Sequence, residues 1–75
     1  MERYANKGGD SGILAFEITA TSITVEFKDH SLYLYDNNNP GSAIVERMKA
    51  LAKSGQGLNS YISTTVKKNF AKKLR

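Results

Sequence analysis

The chain has 75 residues, a formal net charge of +4 and no cysteine. A domain of this size buries only about 60% of the surface that its unfolded chain exposes, so a deep substrate cavity is not expected. The lack of cysteine excludes disulfides and thiolate metal sites. Its longest uncharged apolar stretch, residues 13–16, is far shorter than the ~20 residues that span a bilayer, and its polar start has no signal-peptide core. We therefore expect a single-domain cytoplasmic protein with no membrane partner.

Charge is distributed unevenly along the chain. Residues 1–46 carry 3 basic and 7 acidic side chains, a net charge of −4, whereas residues 47–75 carry 8 basic and no acidic side chains, a net charge of +8. This asymmetry favours an anionic partner, such as a nucleic acid, for the second half. Alternatively, the basic half complements the acidic half within one fold and aids solubility.

Three segments of the first half have the alternating, β-branched and aromatic composition of β strands. They are ILAFEI at 13–18, SITVEF at 22–27 and SLYLYD at 31–36. The dipeptides Ala20-Thr21 and Asp29-His30 are expected to form two-residue turns, and His is one of the few non-glycine residues that accept a positive φ. The segments therefore predict a three-stranded antiparallel meander with strand order 1-2-3.

The first twelve residues differ in composition from the strands that follow. Residues 1–12 include the segment GGDSG and show no apolar period, so they are predicted to form a flexible N-terminal arm. The segment does not match a phosphate-binding loop, because no strand precedes it and no Gly-Lys-Ser/Thr follows it.

Two helices are predicted after the strands. Asn39 is expected to cap the first helix, with Pro40 at its first position, and Gly55 to end it. Its apolar residues lie within one arc of about 120°. They are Ile44, Val45, Met48, Leu51 and Ala52. A second helix, beginning at Asn59 or Ser60, has the apolar stripe Ile62, Val66 and Phe70. Both helices should pack on one face of the sheet, which gives a single α+β domain of type β-β-β-α-α over residues 13–75.

The register of the second hairpin determines where the tyrosines of the third strand point. With a two-residue turn, Leu32 and Leu34 share the face of the core, and Tyr33 and Tyr35 point to the opposite face. Two exposed tyrosines side by side would resemble a platform on which unpaired bases stack. Alternatively, the tyrosines pack on each other or on neighbouring segments. A third interpretation treats strand 31–36 as an unguarded edge that pairs with another chain.

Basic residues are predicted to share one face of the second helix. This arc of about 140° would hold Lys67, Lys68, Lys72 and Arg75, and Tyr61 falls in the same arc about two turns away. A cationic helical face with an aromatic at one end is suited to tracking phosphates. Alternatively, lysines in a last turn interact favourably with the helix dipole and cover apolar surface with their stems.

The sequence gives little support for catalysis. His30 is the only histidine and lies in a predicted turn, without a neighbouring nucleophile or base. Glu17 and Glu26 would lie roughly 7–8 Å apart on the open face, a spacing that could serve glycoside hydrolysis only within a cleft. The chain also lacks a calcium-loop spacing or a histidine pair. We therefore expect no enzyme activity, no metal site and no cofactor.

Several segments together resemble a known family. These are SITVEF, the hairpin KDHSLYLYD with its Tyr-x-Tyr at Tyr33 and Tyr35, and MKALAKSGQGLNSYI. In their order and spacing they resemble the KTSC domain, a short domain named for the C-terminus of some lysyl-tRNA synthetases and mostly found alone in bacteria. The resemblance covers residues 13–70, and His30 stands where the family usually has glycine. It implies no established activity, and it implies RNA binding on the basis of the synthetase fusion.

The leading hypothesis from the sequence is a small non-catalytic module that binds RNA or another nucleic acid. Its basic C-terminal helix would contact phosphates, and Tyr33, Tyr35 and Tyr61 would stack on bases. The alternative is a protein-interaction or self-association module, such as a homodimer, that uses the edge strand 31–36.

Overall fold

The computed structural model describes residues 1–7 and 12–75. The elements are β1 (Glu2–Arg3), β2 (Ile13–Ile18), β3 (Ser22–Phe27), β4 (Leu32–Asp36), α1 (Ser42–Ser54), α2 (Leu58–Tyr61), a π-helical turn (Ile62–Val66) and β5 (Lys72–Lys73). The strands form one antiparallel sheet in the order β1-β2-β3-β4-β5. The predicted α+β class is thus confirmed, but the sheet has five strands where three were expected.

The core lies between one face of the sheet and the helices, as the strand and helix periods predict. Its fully buried side chains come from alternate positions of β2, β3 and β4 and from the apolar arc of α1. They include Phe16, Ile23, Val25, Tyr35, Val45 and Met48. Lys49 of α1 is charged and yet only 8% exposed. Its Nζ donates to the carbonyl of Ala20 at 3.2 Å and lies 3.0 Å from a carboxylate oxygen of Glu46, so the buried charge is satisfied.

The start of α1 differs from the prediction, and its end agrees. Asn39 does not cap the helix, because the chain turns once more before Ser42. The Asp36 carboxylate accepts hydrogen bonds from the backbone N–H groups of Asn38 and Asn39, both at 2.9 Å, and so holds a turn there. Gly55 ends α1 in the left-handed conformation with a φ of 80°.

Among the helices of residues 1–7 and 12–75, none has the length and apolar character that a membrane span requires.

The first hairpin follows the predicted register near its turn. Ile18 opposes Ile23, so Ala20-Thr21 forms the two-residue turn as expected. An irregularity between Ile13 and Ala15 then inserts one extra residue into β2. Ile13 is consequently buried, whereas Leu14 is only half-buried.

The second hairpin has a three-residue loop, and the predicted two-residue turn is wrong. Phe27 donates its N–H to the carbonyl of Ser31 at 3.0 Å, and His30 donates to the carbonyl of Phe27 at 2.8 Å. His30 has a φ of 67° and fills the left-handed position that closes such a loop. The extra loop residue changes the parity of β4, so Tyr33 opposes Val25 and Tyr35 opposes Ile23 on the inner face.

The predicted exposure of the tyrosines is therefore wrong as well. Tyr35 is only 2% exposed and belongs to the core, and Tyr33 is half-buried. Leu32 and Leu34 lie on the opposite face and are also half-buried.

The predicted long C-terminal helix is also wrong. The helix widens into the π-helical turn and stops at Lys67, whose φ of 55° and ψ of −125° are incompatible with a helix. The chain then returns as β5, whose Lys72 and Lys73 pair with Leu34 and Tyr33 of β4. Strand 31–36 is consequently not an edge of the sheet, because β4 has a neighbour on both sides.

The N-terminal residues are docked on the domain, contrary to the predicted flexible arm. β1 pairs with β2, and Tyr4 is only 4% exposed. The Tyr4 hydroxyl accepts a hydrogen bond from the Leu58 N–H at 3.2 Å, and Lys7 donates its N–H to the carbonyl of Gly55 at 2.7 Å. The remainder of the predicted arm includes residues 8–11, which lie outside the described residues.

Candidate functional site

An aromatic cleft opens between the β3–β4 hairpin and the segment that joins the π-helical turn to β5. Its volume is about 470 Å³. We define the aromatic cleft by its four ring-bearing residues, Phe27, Tyr33, Tyr35 and Phe70, and by the two cations that line it, Lys67 and Lys68. A small domain has little interior to spare, so an apolar concavity of this size is a candidate binding site.

Tyr33 occupies the centre of the aromatic cleft. Its ring meets Phe27 edge to face with a centroid distance of 5.6 Å and meets Phe70 at 4.7 Å. The rings of Tyr35 and Phe70 are nearly perpendicular, with a centroid distance of 6.5 Å. Aromatic pairs prefer these tilted geometries to parallel ones, so the rings fix each other's orientation. Tyr33, Phe27 and Phe70 stay half-buried, which leaves aromatic surface open to a ligand.

Cations surround the aromatic cleft. Lys67 and Lys68 follow the π-helical turn, and both are exposed. A third lysine, Lys73 of β5, lies beside Tyr33. Its Nζ is 5.7 Å from the centroid of the Tyr33 ring, which is within cation–π range. An anionic group on a ligand would therefore meet positive charge from two directions while its apolar part contacts the rings.

Strained backbone flanks the aromatic cleft. Lys67 and His30 both have a positive φ, at 55° and 67°, although neither is glycine. Lys67 also donates its N–H to the carbonyl of Ile62 at 2.5 Å, which closes the π-helical turn. Non-glycine residues in such conformations cost of order 1–3 kcal/mol and cluster at binding sites. π-helical turns are likewise frequent at functional sites.

Asp29 gives the aromatic cleft one negatively charged side. Its Oδ1 accepts hydrogen bonds from the hydroxyl and the N–H of Ser31 at 2.6 and 3.0 Å. These bonds lower the pKa of Asp29 below its usual value, and Lys73 acts in the same direction. The carboxylate therefore stays ionised and would repel an anionic group from the hairpin side of the cleft.

The hydroxyl of Tyr35 remains protonated up to high pH. Burial, and secondarily the neighbouring Tyr33, raises the pKa of Tyr35 to about 12. Tyr35, which lines the aromatic cleft, is therefore neutral at physiological pH, and a charged phenolate in this buried position would be costly.

The structure brings together four of the seven residues that the sequence analysis predicts as a site. Tyr33, Tyr35, Lys67 and Lys68 line one cleft, although Tyr35 is too buried to act as an exposed stacking platform. The remaining three predicted residues do not line this cleft. Tyr61 is one of them, and it packs against the core.

The last two predicted residues are held by β5 and the chain end. Lys72 opposes Leu34 on the face of the sheet that points away from the aromatic cleft. Arg75 donates from Nε to the carbonyl of His30 at 2.8 Å and from Nη2 to Glu26 at 3.1 Å. The shared cationic helical face predicted from the sequence is therefore wrong, because the helix ends before these residues.

Three residues of this region were not predicted as part of the site. Phe27 and Phe70 were expected in the core, and Lys73 was not singled out. The segment AKKL at 71–74 lacks the apolar–polar alternation that indicates a strand, so the sequence carried no signal for β5. The roles of the two phenylalanines depend on the loop at His30 and on the turn at Lys67, which no local pattern specifies.

No protein-family model matches this chain, and no curated protein or solved structure matches it either. Within residues 1–7 and 12–75, no group of three or more His, Cys, Asp or Glu side chains could hold a metal ion.

Proposed function

We propose that the protein is a small non-catalytic module of the KTSC type that binds single-stranded RNA in the aromatic cleft. The observation that carries the proposal is the combination of a half-exposed Tyr33 with Lys67, Lys68 and Lys73 around it. Unpaired bases stack on aromatic side chains, and their phosphates attract nearby lysines. A duplex offers no free base faces, so it should bind more weakly.

The charges around the aromatic cleft favour one side of it for the phosphate of a bound strand. An unpaired base would contact Tyr33 and Phe70, and the adjoining phosphate would lie on the side of Lys67 and Lys68. Asp29 remains ionised on the hairpin side and would repel the backbone from there. Stacking would supply about 1–3 kcal/mol per base, and the lysines would add a contribution that weakens with salt.

Fluorescence anisotropy tests this proposal. The protein is titrated into labelled single-stranded RNA, hairpin RNA and duplex DNA, each at several salt concentrations. The double variant Lys67→Ala/Lys68→Ala should weaken binding to single-stranded RNA, and it should flatten the dependence of log K on log salt by about 1.4, since each phosphate contact on a single strand contributes about 0.7.

A matched control removes the same charge from another surface. Arg47 and Lys53 are exposed on α1 and do not line the aromatic cleft. Arg47→Ala/Lys53→Ala should leave the salt slope near the parent value. If both double variants lower the slope equally, the binding is non-specific attraction to a basic protein, and the proposed site is wrong.

The alternative function, pairing of strand 31–36 with another chain, has no support in the fold. β4 already pairs with β3 and β5. The edge that replaces it is β5, two residues long and made of Lys72 and Lys73, and charged, short edges discourage strand addition.

A further inference from the structure

The face of the sheet that points away from the helices carries two rows of side chains. Directly opposed residues of antiparallel strands share a face, so the register fixes both rows. The first row begins with Arg3, Ala15, Glu26 and Leu32, and it continues just past β5 at Leu74, whose N–H donates to the carbonyl of Leu32 at 2.7 Å. The second row, from β2 to β5, consists of Glu17, Thr24, Leu34 and Lys72. We call these nine residues the outer face.

The second row has opposite charges at its two ends. Glu17 stands on β2 and Lys72 on β5, three strand spacings apart, which is about 14 Å. Thr24 and Leu34 separate them and carry no charge. Both end residues are exposed, and neither forms an ion pair with a described residue.

The middle of the outer face is apolar or neutralised. Leu32 and Leu34 are half-buried. Leu74 is 45% exposed, an unusual exposure for a leucine in the described part of the chain. Glu26 is the one central charge, and it lies 3.1 Å from Nη2 of Arg75. A partner covering this face would therefore not bury an unpaired carboxylate.

We propose that the outer face binds the outer face of a second copy of this chain. A two-fold axis parallel to the strands, midway between β3 and β4, would place each Glu17 against Lys72 of the other copy. The same rotation would place Thr24 against Leu34, Ala15 against Leu74, and Glu26, which is paired with Arg75, against Leu32. A two-fold interface must be self-complementary, and this arrangement of charge and apolar surface meets that requirement. This inference does not depend on the proposed function.

The size of the face sets the strength of the association. The domain measures 31 × 23 × 22 Å, so a face of one copy offers roughly 500–700 Å² of projected area, which is near the lower limit of about 1,000 Å² in total for a specific interface. The dimer should therefore be weak and should form as the protein concentration rises. The aromatic cleft lies on the opposite side of the sheet and stays accessible in it.

Charge reversal with rescue tests this interface. Sedimentation equilibrium at low salt should show a monomer–dimer equilibrium for the parent. Glu17→Lys and Lys72→Glu alone should each weaken the dimer about tenfold, because each replaces two attractive contacts by two repulsive ones. The double variant Glu17→Lys/Lys72→Glu should restore the parent dissociation constant. Lys53→Glu changes the net charge as much as Lys72→Glu but lies on exposed α1, so it should leave the dimer intact.

Three results would overturn the proposal. They are a parent that stays monomeric at all accessible concentrations, single reversals without effect, and a double variant that remains as weak as the single ones. A second measurement needs no variant: dilution of the labelled parent should change the NMR amide shifts of Thr24, Leu34 and Leu74. Shift changes confined to the aromatic cleft or to α1 would place the contact elsewhere and overturn the proposal too.

Discussion

The rings of Tyr33 and Phe70 meet with their centroids 4.7 Å apart and their planes inclined by 69°. This contact joins β4 to the segment that leads into β5, so it holds the two sides of the aromatic cleft together. Asn39 reinforces the same connection, since its side-chain amide donates to the carbonyl of Phe70 at 2.9 Å.

Truncation of Phe70 should therefore cost stability. Phe70 is half-buried, and Phe70→Ala should lower the free energy of unfolding by about 2 kcal/mol, below the 3–5 kcal/mol typical of a fully buried phenylalanine. Urea denaturation measures the change. Phe70→Leu keeps most of the apolar contact and should cost about 1 kcal/mol, chiefly the edge-to-face interaction. Equal stability of the alanine variant and the parent would show that Phe70 does not hold the cleft.

Replacement of Lys67 by glycine should have opposite effects on the stability of the fold and on its affinity for RNA. Lys67→Gly removes a side chain from a backbone with a φ of 55° and a ψ of −125°, so it should raise the free energy of unfolding by about 1 kcal/mol. The same change removes a cation and should weaken RNA binding. Lys68 has no positive φ, so Lys68→Gly should weaken binding without a gain in stability. Urea denaturation and anisotropy distinguish these outcomes, and a Lys67→Gly variant less stable than the parent would contradict the assignment of strain.

Two glycines with a positive φ should lose stability for different reasons when they are replaced by alanine. A Cβ at Gly55, whose φ is +80°, would lie 2.6 Å from the Cβ of Ala5, whereas a Cβ at Gly41, whose φ is +114°, would meet nothing within 4 Å. Gly41→Ala should cost about 1–3 kcal/mol from backbone strain alone, because a φ of 114° with a ψ of 160° is a conformation that essentially only glycine adopts. Gly55→Ala should cost about 1 kcal/mol for its left-handed backbone and about 1–3 kcal/mol more, because the N-terminal segment must shift. Thermal unfolding measures both losses, and a loss of only about 1 kcal/mol for Gly55→Ala would show that the segment does not dock on Gly55.

Tyr35 should make the fold sensitive to alkaline pH. Its pKa rises from 10.0 to about 12 on folding, so the unfolded state loses this proton first. The contribution of Tyr35 is therefore fully present below pH 10, is lost as the pH rises from 10 to 12, and amounts to about 3 kcal/mol across that interval. Urea denaturation across this range should show a smaller decline for Tyr35→Phe than for the parent. Parallel declines would contradict the shift.

The parts of the fold that depend on short-range patterns could be predicted from the sequence. β2, β3 and the Ala20-Thr21 turn follow from period-2 alternation, and the end of α1 follows from Gly55. The inner face of β4 could not be predicted, because it depends on one residue in a loop. Two- and three-residue loops fit the same sequence, and the left-handed conformation of His30 decides between them.

The candidate site was only partly predictable for a related reason. Ile62, Val66 and Phe70 are spaced four apart and favour a continuous helix. In the structure the first two lie in the π-helical turn, and the third follows a reversal at Lys67 that packing against the sheet must stabilise. Tyr4 was equally unpredictable, because its burial depends on a hydrogen bond to Leu58, 54 positions away.

The pairing of β5 also has a consequence for the order of folding. β2, β3 and β4 are joined by tight turns, so they can associate early, whereas Lys72 reaches Leu34 across 38 positions of chain. We expect β5 to dock last, because its pairing with β4 closes a loop that contains α1 and the π-helical turn. Until then, β4 has one unpaired side and the aromatic cleft has one wall. A molecule that contacts both walls would bind only the completed domain, so its binding energy would act against detachment of the last strand.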